Sequence, residues 1–124
     1  MKRSVVIRWT DTAKTQLAKL PLKVRRGLLE EADQLAEADD PRKVCKPLVG
    51  PLEGYYRIPY NRYRAVFRID EQKTAKGKFV LVVTITFVAA GVRKAGDKHD
   101  VYRLAEKLVD WARRFDQKSD DEDE

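Results

Sequence analysis

The sequence predicts an α+β fold: an N-terminal strand and a helical hairpin pack on a small, mostly antiparallel twisted sheet of about four strands, with a C-terminal helix. Three observations predict it. Apolar residues recur at helical spacing in two short segments after the first strand. Two alternating segments flank Asn61-Arg62, which is typical of a tight β-hairpin. A third helical stripe follows near the C-terminus, so helices enclose a central group of strands.

The elements follow in order along the chain. Residues 4–9 predict the first strand, and Thr10 or Asp11 can cap the helix that follows. Pro21 ends that helix, and a second one ends before Asp39-Asp40-Pro41. Residues 41–54 contain three prolines and two glycines, which predicts an irregular connection. After the hairpin, residues 70–78 predict a polar turn and residues 79–88 a buried strand. Asp97 can cap the last helix.

The hairpin has a predicted register, because Asn tolerates the positive φ of a two-residue turn at Asn61-Arg62. Tyr60 then lies opposite Tyr63, and Arg57 opposite Val66. Strand alternation assigns one face to the core. The core face carries Tyr56, Ile58, Tyr60, Tyr63, Ala65, Phe67 and Ile69. The other face carries Tyr55, Arg57, Pro59, Arg64, Val66 and Arg68.

Length and charge indicate one basic domain, residues 1–117, and an acidic tail, residues 118–124, that we expect to be disordered. The net charge is +6, and setting aside the five acids of residues 119–124 leaves +11 on residues 1–118. Such an excess favours a polyanionic partner.

The longest apolar stretch, residues 79–90, is too short to span a membrane, so we expect no membrane association. Cys45 is the single cysteine, which is typical of a reducing cytoplasm, and no metal-binding set goes with it.

Four short strings stand in a suggestive order: Gly54-Tyr55-Tyr56-Arg57-Ile58, Tyr63-Arg64-Ala65-Val66-Phe67, Gly91-Val92-Arg93 and Asp100-Val101-Tyr102. Arginine forks bind phosphate oxygens, and a tyrosine can stack on a base or move a proton. In order and spacing these strings resemble the RelE/ParE superfamily of toxin–antitoxin toxins, and within it the RelE-like messenger-RNA interferases. The resemblance covers nearly the whole chain and implies the RelE-like microbial RNase toxin fold.

The resemblance also implies an activity and partners. RelE-like toxins cut messenger RNA on the ribosome without a metal or other cofactor, by attack of the ribose 2′-hydroxyl on the adjacent phosphate, and a cognate antitoxin protein holds them inactive. Arg57, Arg64 and Arg93 match positions that bind the scissile phosphate, and Tyr102 matches a tyrosine that stacks on a nucleotide and helps to activate the 2′-hydroxyl. Additional RNA contacts are expected from neighbouring aromatic and basic residues, namely Tyr55, Arg62, Arg68, Lys94 and Lys98.

One position departs from the interferase pattern. Pro59 stands where interferases often have a second basic residue, and its ring supplies neither charge nor a proton. Arg57 cannot easily replace it as a base because a guanidinium stays protonated. The base is then Tyr102 or His99, which would share a helical face at a spacing of three residues. A solvent-facing His99 without a role is the other interpretation.

Two further hypotheses remain open. A ParE-like protein would poison DNA gyrase by binding, without phosphodiester chemistry, and Pro59 favours such a binder. A catalytically weakened RNA-binding member of the same fold is the third possibility. The arginines and Tyr102 favour the nuclease.

Overall fold

The computed structural model describes the backbone of residues 2–74 and 80–122, with the side chains of residues 3–73 and 81–114. Its elements are β1 (Lys2–Trp9), α1 (Asp11–Ala18), α2 (Leu22–Glu37), α3 (Pro41–Val44), β2 (Lys46–Pro47), a 3-10 turn (Gly50–Leu52), β3 (Tyr55–Tyr60), β4 (Tyr63–Thr74), β5 (Val80–Val92) and α4 (Val101–Glu122). The predicted order of strand, helical hairpin, strands and C-terminal helix is confirmed.

The strands form one sheet in the order β1-β5-β4-β3-β2. β1 runs parallel to β5, and every other neighbouring pair is antiparallel. The sheet is therefore mostly antiparallel, as expected. It has five strands rather than about four, because Lys46-Pro47 pairs with β3 inside the segment that we expected to be irregular.

Helices cover both faces of the sheet. The helices α1 and α2 enclose a core that includes Leu28, Phe67 and Phe87, all buried. The helix α4 encloses a second core on the other face, built from Leu52, Val66, Val88, Ala89, Val101, Ala105 and Val109. Within the described residues, no helix is long and apolar enough to cross a membrane. The sheet is thus the middle layer, and the face that α4 covers carries the arginines of the hairpin.

The predicted hairpin register is confirmed. Tyr60 pairs with Tyr63, and Arg57 pairs with Val66. Asn61 adopts φ 52°, the left-handed conformation that the two-residue turn requires. Of the predicted core face, Ile58, Ala65 and Phe67 are buried, and its remaining members pack against the same cluster. The basic side chains consequently lie on the α4 face.

Two strands, β4 and β5, have boundaries that differ from the prediction. β4 continues to Thr74, so the start of the predicted 70–78 turn is strand. β5 continues to Val92 because it pairs with β4 as far as Tyr63. Phe79 and residues 75–78 of the predicted turn lie outside the described residues.

The C-terminal helix differs at both ends. Asp97 does not cap it: α4 begins at Val101, and Asp100 accepts a hydrogen bond from Tyr102 N (3.3 Å) while its own backbone C=O accepts from Leu104 N (3.0 Å). At the other end α4 continues to Glu122, so it includes most of the acidic segment that we expected to be disordered. The division of the chain at residue 117 stays a prediction.

A glycine allows α2 to pack closely on the hairpin. Gly27 is buried in the middle of α2, and a Cβ atom at this position would overlap the ring carbons of Tyr60. At an exposed position in a helix, glycine would be less stable than alanine and would offer no compensating advantage. Gly27 is therefore a packing requirement of the interface between the helical hairpin and β3.

We predict that Gly27→Ala destabilises the protein by about 1–3 kcal/mol, because the methyl group forces the Tyr60 ring out of its place. Urea unfolding of the two proteins measures the difference. In a Tyr60→Leu background, which removes the ring, the same substitution should cost much less. A gain in stability from Gly27→Ala, as at an exposed helix position, would contradict this account of the interface.

Candidate functional site

The hairpin and β5 bring three arginines to one region of the α4 face. Arg57 pairs with Val66, and Arg64 pairs with Pro59, so both arginines leave the sheet on the same side. Gly91 of β5 pairs with Arg64. Arg93 directly follows the last residue of β5, two residues beyond Gly91, and its side chain lies in the same region as those of Arg57 and Arg64. Its backbone N donates to Arg62 O (2.7 Å), which holds the end of β5 against the hairpin turn.

Backbone carbonyls hold the guanidinium of Arg64. Its Nη1 donates to Asn61 O (2.7 Å) and to Tyr63 O (2.8 Å), both at the hairpin turn. The side chain remains partly exposed. Because carbonyls are neutral acceptors, these hydrogen bonds orient Arg64 without offsetting its positive charge.

A buried carboxylate holds the guanidinium of Arg93. Asp100 is 2% exposed, and its Oδ2 accepts a hydrogen bond from Arg93 Nη1 at 2.6 Å. Burial alone would raise the pKa of Asp100, but the hydrogen bonds from Arg93 and from Lys94 N outweigh burial and bring the pKa below its ordinary value. The hydrogen bond to Asp100 raises the pKa of Arg93. Both groups are thus charged.

Tyr102 lies in the first turn of α4, directly beside Arg93. The Cζ atom of Arg93 is 4.4 Å from the centre of the Tyr102 ring, a distance typical of a cation–π contact. Tyr102 is partly exposed and also packs against the second core. The ring is therefore held by the helix on one side and by the arginine on the other.

These four residues line one open hollow of about 340 Å³, which we call the basic hollow. Its lining consists of Lys46, Pro47, Leu48, Val49, Arg57, Arg64, Arg93 and Tyr102. The lining combines four cationic side chains and Tyr102 with the apolar residues Pro47, Leu48 and Val49. Val49 is 84% exposed. The hollow offers arginine, lysine and tyrosine groups to an anion with an apolar portion.

The remaining predicted residues lie elsewhere. Tyr55 and Arg68 are on the predicted face, but they line a second hollow of about 220 Å³ with Leu108 and Trp111 of α4. Arg68 Nε donates to Asp70 at 3.1 Å in an exposed ion pair. The body of α4, lying over Val66, separates this second hollow from the basic hollow.

The other predicted contacts are exposed and do not line the basic hollow. Arg62 is in the hairpin turn, and Lys94 and Lys98 are in the segment between β5 and α4. His99 is exposed in the same segment, and its backbone N donates to the carboxylate of Asp97 (2.7 Å). Because α4 begins only at Val101, the expectation that His99 shares a helical face with Tyr102 is wrong. The functional roles of these residues stay predictions.

Sequence reasoning gave no role to Lys46, Val49 or Asp100. Lys46 was hidden in a proline-rich segment, and only its pairing with Arg57 across the short β2 places it beside the arginines. Asp100 stands in one of the four strings, but a helix-capping aspartate and an arginine-binding aspartate have the same sequence pattern. The side-chain packing was needed to distinguish them.

Cys45 is near the hollow in sequence but is not a reactive thiol. Burial raises its pKa to about 11, and its Sγ donates to Pro41 O at 2.9 Å. The thiolate is the nucleophilic form, so the raised pKa disfavours reaction of this cysteine at neutral pH. In the part of the chain that the structure describes, no group of three His, Cys, Asp or Glu side chains is arranged to hold a metal ion.

Comparisons with known proteins identify the family to which this chain belongs. Residues 7–85 match the family described as the ParE toxin of the type II toxin–antitoxin system parDE. Toxin RelG of Mycobacterium tuberculosis is 35% identical over 69 residues, which cover 55% of this chain and 77% of RelG. The crystal structure of the toxin–antitoxin complex RelBE2 from Mycobacterium tuberculosis contains a similar chain, with a TM-score of 0.54 and 28% identity. That match covers 71% of this chain and 96% of the other.

The chain therefore belongs to the RelE/ParE superfamily of type II toxin–antitoxin toxins. The matched region of the family includes Arg57 and Arg64. Arg93, Asp100 and Tyr102 lie beyond residue 85, so their place in the site comes from the fold of this chain.

Proposed function

We propose that this protein is a RelE-like endoribonuclease toxin, which cuts messenger RNA on the ribosome without a metal and is neutralised by a cognate antitoxin. The observation that carries the proposal is the convergence of Arg57, Arg64, Arg93 and Tyr102 on the basic hollow. A structural relative is found in a toxin–antitoxin complex, which supports the antitoxin as a partner. The net charge of +11 on residues 1–118 supports a polyanionic substrate.

The proposed reaction is an internal transfer at one phosphodiester. The 2′-oxygen forms a bond to phosphorus, the bond from phosphorus to the 5′-oxygen breaks, and a cyclic phosphate and a 5′-hydroxyl remain. Negative charge develops on the phosphorane oxygens during this step. Preorganised cations stabilise such charge, and guanidinium forks match the geometry of phosphate oxygens. Arg64 and Arg93 are assigned this role, and Arg57 helps to bind the phosphate.

Two protons must move in this reaction. The 2′-hydroxyl loses one and the departing 5′-oxygen gains one. Tyr102 is assigned to the 2′-hydroxyl, because it lines the hollow and combines a stacking ring with a hydroxyl group. Lys46 is assigned to the 5′-oxygen, because an ammonium group can give up a proton that a guanidinium keeps. Lys46 then supplies a charged proton donor to the hollow, which Pro59 cannot do.

A ParE-like gyrase inhibitor is the second candidate function, and the description of the matched family favours it. One experiment distinguishes the two. The protein is induced in a bacterial host, new messenger-RNA 5′ ends are mapped, and gyrase supercoiling is assayed in parallel. New 5′-hydroxyl ends with normal supercoiling would support the nuclease, and the reverse result would support the gyrase inhibitor.

We predict that alanine at Arg64 or Arg93 lowers the rate of messenger-RNA cleavage by about 10²-fold or more, because each removal takes a cation from the phosphorane. Cleavage of a defined message on purified ribosomes measures the rate. The matched control is Arg26→Ala, an exposed arginine on α2 on the opposite side of the sheet. Cleavage by Arg64→Ala at the wild-type rate would rule out the basic hollow as the active site.

We predict that Lys46→Met lowers cleavage by at least about tenfold, since it removes both the charge and the acid. Lys46→Arg keeps the charge, so it should restore the binding of RNA but leave the rate of the chemical step low. Single-turnover cleavage at saturating ribosome concentration separates the two quantities. Full recovery of the rate with arginine would show that Lys46 acts through its charge and does not donate the proton.

A further inference from the structure

The carboxylate of Asp100 accepts hydrogen bonds from Arg93 and Tyr102, two residues of the basic hollow, although it does not itself line the hollow. We propose that Asp100 is a positioning residue of the site, which orients the Arg93 guanidinium and fixes Tyr102 beside it. This inference rests on the proposed function for its effect on cleavage. Its structural part, the dependence of Arg93 on Asp100, stands on the geometry.

Asp100 is buried, and its partners account for that burial. It is 2% exposed, whereas the Arg93 side chain is 36% exposed. A buried carboxylate is tolerated only when it is paired and hydrogen-bonded. Arg93 Nη1 at 2.6 Å supplies the charge, and the arginine extends from this anchor into the hollow. The contact uses one nitrogen of a guanidinium that carries five N–H donors, so the fork can still bind an anion.

The same carboxylate also accepts hydrogen bonds from the backbone near both ends of the 93–100 segment. Its Oδ1 accepts from Lys94 N (2.5 Å), and its Oδ2 accepts from Tyr102 N (3.3 Å). One side chain thus connects the end of β5 to the first turn of α4. Arg93 and Tyr102 are held at the 4.4 Å separation of their cation–π contact by a single shared acceptor.

The position of Asp100 suits orientation and excludes contact with substrate. A carboxylate facing the hollow would repel a phosphate, but a carboxylate buried behind Arg93 acts on it only through the arginine. Arg64 contrasts with Arg93, because neutral carbonyls hold its guanidinium. An arginine that is already oriented loses less freedom when it binds phosphate. Asp100 therefore prepares Arg93 for the transition state.

The variant Asp100→Asn separates this role from helix capping. Asparagine caps helices about as well as aspartate, and its amide oxygen can still accept from backbone N–H groups. It cannot form the ion pair with Arg93. We expect ribosome-dependent cleavage to fall by at least about tenfold, with little change in the melting temperature. The matched control is Asp97→Asn in the same segment, whose carboxylate contacts His99 N, and we expect it to cleave like wild type.

A double-mutant cycle tests whether Asp100 acts through Arg93. In an Arg93→Ala background, Asp100→Asn should lower cleavage no further and should raise the melting temperature, because the unpaired buried carboxylate is removed. A multiplicative loss of cleavage in the double variant would overturn the inference, and so would wild-type cleavage by Asp100→Asn.

A third test uses the wild-type protein, so it depends neither on cleavage activity nor on the folding of a variant. Nuclear magnetic resonance of the Arg93 guanidinium should show hindered rotation, because Nη1 is held by Asp100. Free rotation of the Arg93 guanidinium would overturn the inference, whether or not the protein cleaves RNA. Absence of cleavage by wild type, with hindered rotation, would instead refute the proposed nuclease function and leave the Asp100–Arg93 arrangement intact.

Discussion

The pairing of β3 with β4 around Asn61 decides on which face of the sheet each side chain of the site lies. Arg57 and Arg64 share a face because Arg57 pairs with Val66 and Pro59 pairs with Arg64. A slip of one residue in β3 would send Arg57 into the core against α2 and bring Ile58 into the hollow. The separate pairing of β4 with β5 as far as Tyr63 carries Arg93 to the same turn. The left-handed Asn61 therefore constrains where Arg57 and Arg64 lie.

The helix α4 adds a second constraint, because it covers only the middle of the arginine face. It lies over Val66 and Val88, and its first turn supplies Tyr102 to the basic hollow. Tyr55 and Arg68 form the next pair on this face of the hairpin. They line the second hollow with Trp111, on the other side of α4. A single sheet face is thus divided into a basic hollow, to which we assign chemistry, and a more apolar one. The start of α4 determines this division, and Asp100 links that start to Arg93.

The sequence sufficed for features that depend on local pattern. The register followed from Asn61 and alternation, and Arg57, Arg64, Arg93 and Tyr102 were assigned to one site from the order of the four strings. The structure brings these four together. The face occupied by Tyr55 and Arg68 was also predicted, but their separation from the site was not, since strand alternation does not show where a helix crosses the sheet.

Features that depend on packing between distant segments were not predictable. Lys46 enters the hollow through a strand of two residues, which is too short to leave a periodic pattern. Asp97 and Asp100 are equally good caps by residue type, and the ion pair with Arg93 decides between them. The prediction that His99 lies on the last helix was wrong because it assumed an Asp97 cap, and the helix begins only at Val101.

The central claim is that the basic hollow holds the phosphate that is cut. The most direct test is a structure of the protein on a ribosome with a message that carries a 2′-deoxynucleotide at the mapped cleavage position, which removes the attacking hydroxyl. The account predicts the scissile phosphate within hydrogen-bonding distance of Arg64 and Arg93, with the adjacent base on the Tyr102 ring. A phosphate bound instead beside Tyr55 and Arg68, with the basic hollow free of RNA, would contradict it.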